Sequence, residues 1–186
     1  MPIRAFGAAG DAVCAYARAM EFVEFTVRSA GAGDVDALCA AGVEAMNWTG
    51  EVRFTLEDYL SQPKLSRYLD GWPRGGDIGV VAETSVGTPV GAAWCRFLPA
   101  DDAGYGFVRD DIPELTIGVQ PGHRGAGIGT ALLEGLLAEA AARSIHAISL
   151  SVEDGNRARA LYERVGFRKV GRNGGSDTLL LELPRN

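Results

Sequence analysis

PELTIGVQPGHRGAGIGTALL, residues 113–133, passes from a short strand through a glycine-rich turn into a helix. Glu114 to Val119 alternates as a strand, Gln120-Pro121-Gly122 reads as a turn, and an apolar-periodic helix follows Arg124-Gly125-Ala126-Gly127-Ile128-Gly129-Thr130. A glycine-rich turn that opens a helix gathers unpaired backbone N–H groups at the positive end of the helix dipole, which suits a phosphate. Side chains at the turn would keep that phosphate away from the backbone, hence the glycines.

Two phosphate loops are excluded by spacing. A P-loop needs a Lys after its last glycine, and this turn has none. The dinucleotide fingerprint needs G-x-G-x-x-G after the first strand of a βαβ unit. Here Gly125-x-Gly127-x-Gly129 is one residue short and lies two thirds of the way along the chain. Further on, Asn156-Arg-Ala-Arg-Ala-Leu-Tyr162-Glu-Arg-Val-Gly166-Phe167 reads as an Asn-capped helix with Leu161, Tyr162 and Val165 on one stripe.

Together, Arg124-x-x-Gly127-x-Gly129 and the Asn156–Phe167 segment resemble the acetyl-CoA loop and the later motif of the GNAT superfamily of N-acetyltransferases. The resemblance covers roughly Glu24 to Glu182. It implies a mixed α/β (α+β) fold with a twisted, mostly antiparallel sheet, helices on its flanks and splayed central strands. It also implies acetyl-CoA as cosubstrate and acetyl transfer to a primary amine by direct attack in a ternary complex. A GNAT-like domain that only holds an acyl-CoA, as a sensor or scaffold, is the alternative.

The resemblance carries over to particular positions. Arg124, Gly125, Ala126, Gly127, Ile128, Gly129 and Thr130 become the pyrophosphate anchor. Ile117, Gly118 and Val119 become the strand that pairs with the pantetheine arm, with the Val119 N–H polarising the thioester carbonyl. Asn156 either bonds that arm or only caps its helix. Tyr162 becomes the general acid for the departing sulfur, or else packs in its helix. Family members often carry a base on the strand before the loop. Period-2 geometry sets Glu114, Thr116 and Gly118 on one face there and Leu115, Ile117 and Val119 on a core face, which makes Glu114 the candidate base.

The chain has 186 residues, 47% apolar and 23% charged, which suits one globular domain; residues 21–186 are expected to form it. Residues 1–20 are expected to be an extension, a short helix or disordered, with Met20 a possible second start. Net charge is −6 without a basic cluster, against nucleic acid or an anionic membrane as partner. Cys14, Cys39 and Cys95 are odd in number and lack metal spacing; no metal is expected, and a reducing cytoplasm fits. His123 lies in the loop, near a bound phosphate or merely solvated. Oligomeric state is open, a homodimer included.

The amine acceptor, small molecule or protein, is expected between the region Asn47–Trp72 and the loop Pro99–Asp111. Asp101, Asp102, Asp110 and Asp111 cluster there with Tyr105 and Phe107, either as a field for a cationic amine or as a solvated loop. Trp48 and Trp72 are candidate pocket residues, and Trp94 reads rather as core. Within Thr55–Leu69, Thr55 and Asp58 form a capping box and Pro63 interrupts the helix. Asp34 is the expected cap of a helix running to Met46.

Overall fold

Seven strands and five helices make up the computed structural model, which describes residues 24–184. The expected N-terminal extension lies outside the described residues. The elements are β1 (Phe25–Ser29), α1 (Val35–Met46), α2 (Leu56–Ser61), α3 (Pro63–Ser66), β2 (Ile78–Thr84), β3 (Pro89–Arg96), β4 (Glu114–Val119), α4 (Ile128–Ala142), β5 (Ala147–Glu153), α5 (Arg159–Val165), β6 (Arg168–Asn173) and β7 (Ser176–Glu182). The sheet runs β1-β2-β3-β4-β5-β7-β6. Every neighbouring pair is antiparallel except β4 and β5. Those two run parallel and meet at the single pair Glu114↔Ser149. Beyond it they part, so the middle of the sheet opens into a wedge.

Each face of the sheet carries its own apolar layer. Under α4 and α5, Leu115, Ile128, Leu132, Leu133, Leu136, Ile148, Leu150, Tyr162, Phe167 and Leu179 form one core, with Ile117 and Val119 packed against it. On the other face α1, α2 and α3 cover Val81, Ala92 and Trp94 with Leu38, Tyr59, Leu65 and Tyr68. The period-2 split of β4 is therefore as expected.

Local chemistry sets the helix ends. Thr55 accepts from the Asp58 N–H at 3.1 Å while the Asp58 carboxylate accepts from the Thr55 N–H at 2.8 Å. Pro63 ends α2 and starts α3 as its first residue, where a missing N–H costs nothing. Asp34 precedes α1, but its side chain does not cap that helix. It accepts instead from the Gly31 N–H at 2.7 Å and pairs with Arg28 at 2.8 Å, because a single turn of 3-10 helix lifts it away from the α1 N–H groups.

A buried ion pair ties α3 to the sheet. The Arg96 side chain, 1% exposed, meets Asp77 Oδ2 at 2.6 Å and also donates to the carbonyls of Arg67 (2.8 Å) and Asp70 (2.9 Å). Removing one partner of such a pair leaves the other charge buried alone. Arg96→Ala is expected to destabilise the fold by about 3–5 kcal/mol. Urea unfolding would show this as a lower midpoint at constant slope, and a loss under about 1 kcal/mol would mean that water replaces the guanidinium.

Candidate active site

The wedge between β4 and β5 opens into a cleft of about 1530 Å³. Residues of α1 and the segment after it, the glycine turn, β4, β5 and α5 line it. Backbone parity decides what the wedge offers. The Gln120 N–H donates to Val90 O on the β3 side, while Pro113 O accepts from the Ser149 N–H on the β5 side. The β3–β4 register is unbroken, so the amides of Ile117 and Val119 point away from β3 into the gap. With no β5 partner beyond Glu114↔Ser149, they are free to pair with an extended ligand arm.

Gly118 fills a different role from its neighbours. It faces α1, where a Cβ would come within 1.9 Å of the Ala41 carbonyl oxygen, so glycine here lets α1 press onto β4. At the turn, Gly127 caps α4 with φ +84°, a conformation that a side chain resists. A Cβ on Gly127 would meet nothing within 4 Å and would project into open space at the helix N-terminus. The turn fits the pyrophosphate of acetyl-CoA: it is glycine-lined, open and set at the end of a 15-residue helix.

Other members of the expected anchor divide. Gly125, Gly129 and Thr130 line the cleft. Ala126 is exposed at the turn. The Ile128 side chain is buried in the α4 core, which leaves its backbone alone to the turn. The Arg124 guanidinium is not free either. It bonds the Glu44 carboxylate at 2.7 Å and the carbonyls of Val119 (3.2 Å) and Trp48 (3.3 Å), fastening the turn to the end of α1. His123 lines the cleft with its Nδ1 buried and unpartnered.

Glu114 and Tyr162 both line the cleft and both are buried, at 4% and 7% exposure. Glu114 Oε1 accepts from the Tyr68 hydroxyl at 2.8 Å and from the Gly106 N–H at 2.7 Å, while Oε2 has no partner. Burial pushes the Glu114 carboxyl up to about 7, against the opposing pull of those two donors and of Arg67. Tyr162 packs edge-on against Phe167 with ring centroids 5.8 Å apart. Burial raises its phenol well above the ordinary value, so it stays protonated as an acid must. Asn156 lines the cleft and its Oδ1 accepts from the Ala158 N–H at 2.9 Å, closing a turn just ahead of α5, whose N-cap is Ala158.

The cleft wall opposite, where an acceptor is expected, has the expected segments but other chemistry. Trp48, Arg53, Phe54, Tyr59, Leu65, Tyr68 and Tyr105 line it. Trp48 Nε1 donates to Glu153 Oε2 at 2.6 Å and Arg53 pairs with the same carboxylate at 2.9 Å, a bridge from this wall to β5. Trp72 donates to Gly31 O at 3.0 Å and Trp94 is fully buried; neither lines the cleft. None of the four loop aspartates lines it either. Asp102 pairs with Arg67, Asp111 with Arg109, and Asp110 accepts from the Ala100 N–H, so the local backbone and arginines absorb the acidic field. Tyr68 and the Trp48–Glu153–Arg53 bridge carry no local sequence signal: each joins residues far apart in the chain.

Comparison with known proteins agrees with this geometry. The model of the acetyltransferase (GNAT) family matches residues 44–167. Mycothiol acetyltransferase of Propionibacterium freudenreichii is 35% identical over 92 residues, 49% of this chain and 28% of that protein. The [ribosomal protein bS18]-alanine N-acetyltransferase of Haemophilus influenzae is 33% identical over 63 residues, 34% of this chain and 43% of that protein. The chain thus spans less than half the length of these curated relatives. Among solved structures, the ribosomal-protein-alanine N-acetyltransferase of Brucella melitensis superposes with TM-score 0.61 at 28% identity, covering 85% of this chain and 99% of that one. The PaiA N-acetyltransferase of Thermoplasma acidophilum in complex with coenzyme A has the same fold, with TM-score 0.61 at 15% identity over 86% of this chain and 99% of that one. A strand wedge beside a glycine turn, with the family pattern running through both, makes this chain a member of the acetyltransferase (GNAT) family.

Proposed function

We propose that the protein is an acetyl-CoA-dependent N-acetyltransferase that passes acetyl directly to a primary amine in a ternary complex. One observation carries the reading. The open wedge amides, the glycine turn, a buried carboxyl poised near neutrality and a buried protonated phenol line one cleft. The relatives' names span a small molecule and a protein alanine, so the acceptor is left as a primary amine of either kind.

Each residue has a distinct task. The turn holds the pyrophosphate, and the amides of Ile117 and Val119 hold the arm. The Val119 N–H faces the thioester oxygen, where negative charge grows as the amine attacks. The Glu114 carboxylate takes a proton from the incoming ammonium through one water. The new N–C bond forms as the C–S bond breaks, and the Tyr162 hydroxyl gives its proton to the leaving sulfur. The nitrogen's second proton passes through water to restore the phenol, and Glu114 releases its own proton to solvent.

The test is thiol release from acetyl-CoA over a panel of primary amines, with acetylated product identified by mass. Release matched one-to-one by acetylated amine supports the enzyme. Tight CoA binding with no acetylation of any amine, protein N-termini included, supports the holder.

Glu114 adds a pH prediction. The base must be ionised, so kcat/KM should rise with pH and level off above about 7. Glu114→Gln should lower the plateau by ~10²-fold and remove that limb. Stability has the opposite sign. A carboxyl whose folded value is raised above the unfolded one costs stability as pH climbs from about 4.5 to about 7. Wild type should therefore lose up to about 3 kcal/mol across that window, relative to Glu114→Gln. Parallel denaturation curves at pH 5 and pH 8 check this; an equal pH dependence in both proteins would contradict it.

A further inference from the structure

Glu114 is gripped by residues outside its own strand. The Tyr68 hydroxyl sits at the centre of the grip. It donates to Glu114 Oε1 at 2.8 Å and accepts from the Tyr105 N–H at 2.8 Å. The next amide, Gly106 N–H, donates to the same Oε1 at 2.7 Å. Both capacities of the phenol are thus engaged in one chain of bonds, Tyr105 N–H to Tyr68 to Glu114. Tyr68 is itself fixed from behind. Trp94 Nε1 donates to its carbonyl at 3.0 Å, and Arg96 holds the preceding Arg67 carbonyl. Its ring is 6% exposed and packs in the layer under α1. A buried tyrosine so restrained holds its hydroxyl at one point at little entropic cost.

We infer that Tyr68 is a positioning residue for the base: its hydroxyl pins Oε1 of Glu114, joins the turn 104–106 to the carboxylate, and so fixes the plane of the group that receives the proton. The inference rests on the reading of Glu114 as base. A carboxylate with one oxygen held by two donors cannot rotate to present either oxygen at random. The unpartnered Oε2 is then held with a fixed bearing, buried beside Gly104. The bond also favours the ionised carboxylate, which burial alone would suppress. Tyr105 lines the cleft and is 42% exposed, so an acceptor that leans on this turn presses on the same hydroxyl.

The other charged and titratable neighbours are few. Arg67 precedes Tyr68 and its charge favours the ionised form of Glu114. Cys95 on β3 is buried and its thiol is driven up by that burial and by the Glu114 charge. Arg96, the β3 register partner of Glu114, is committed to Asp77. Ser149 is the β5 partner and carries no charge.

The experiment follows Glu114 directly. Carbon-13 labelling of glutamate carboxyls, with the Glu114 signal assigned by its loss in Glu114→Gln, gives the titration midpoint of the intact protein without any acceptor. Tyr68→Phe should move that midpoint upward by roughly half to one pH unit, the worth of one lost hydrogen bond. Incorporation of 3-fluorotyrosine at position 68 keeps the shape and strengthens the donor, so the midpoint should move down. Once an acceptor is found, the acid limb of kcat/KM should follow in both directions. A merely structural tyrosine would alter melting temperature and leave the midpoint in place. An unmoved midpoint in both variants overturns the inference. If the midpoint moves but Glu114→Gln keeps the wild-type rate and profile, the positioning stands and the base reading fails.

Discussion

Gly127→Val is expected to abolish measurable coenzyme A binding while the protein stays folded. Two effects combine at this position. Valine is β-branched and resists the left-handed backbone that caps α4 at φ +84°, a strain of order 1–3 kcal/mol. Its Cβ also projects into space that no protein atom approaches within 4 Å, where a phosphate would need the bare backbone. Either the turn rearranges and the amides lose their aim, or the side chain stands where the ligand sits. The loss of affinity should be at least about 10²-fold by calorimetry. Gly122→Ala is a useful control: it has φ +85° and similarly open space but precedes the turn. It should lose stability without a comparable loss of affinity. Unchanged affinity in Gly127→Val would separate the turn from the cofactor altogether.

The second large effect is expected at Tyr162. Tyr162→Phe removes one oxygen from a residue already held by the α4–α5 core and by Phe167. Its packing survives, so the binding of CoA should change little. The proton for the leaving sulfur, however, must then come from solvent, and the rate should fall ~10²–10⁴-fold. A hydroxyl that served only packing would instead move stability by about 0.5–1.5 kcal/mol and leave kcat alone. Turnover by Tyr162→Phe at the wild-type rate would end the acid assignment, whatever its stability.

Much of this arrangement is written locally. The strand, turn and helix of residues 113–142 announce themselves because each depends on residues within a few positions: alternation for β4, glycine at the turn, apolar period for α4. The Thr55–Asp58 box and the break at Pro63 are legible for the same reason. What escapes is long-range. Tyr68 reaches Glu114 across 46 positions, and Glu153 meets Arg53 across 100. No periodicity encodes such partners; the sheet order makes them. Composition also misleads where charges neutralise one another. Four aspartates in residues 99–111 look like a field for a cation, yet Arg67, Arg109 and a backbone amide account for three of them. Arg124 looks like a phosphate ligand, and its pairing with Glu44, 80 positions away, is not legible beside it. Ile128 sits within the motif but belongs to the core.

Acetyl-CoA is expected between the parted strands β4 and β5, with its thioester at Val119 and its pyrophosphate at the glycine turn. Titrating acetyl-CoA into nitrogen-15-labelled protein tests it without any acceptor. The amides of Ile117, Val119, Gly125 and Gly127 should shift together along one saturation curve. Those of β1 and β6, at the sheet's outer edges, should stay still. Shifts that saturate elsewhere, with the Ile117 and Val119 amides unmoved, would contradict it.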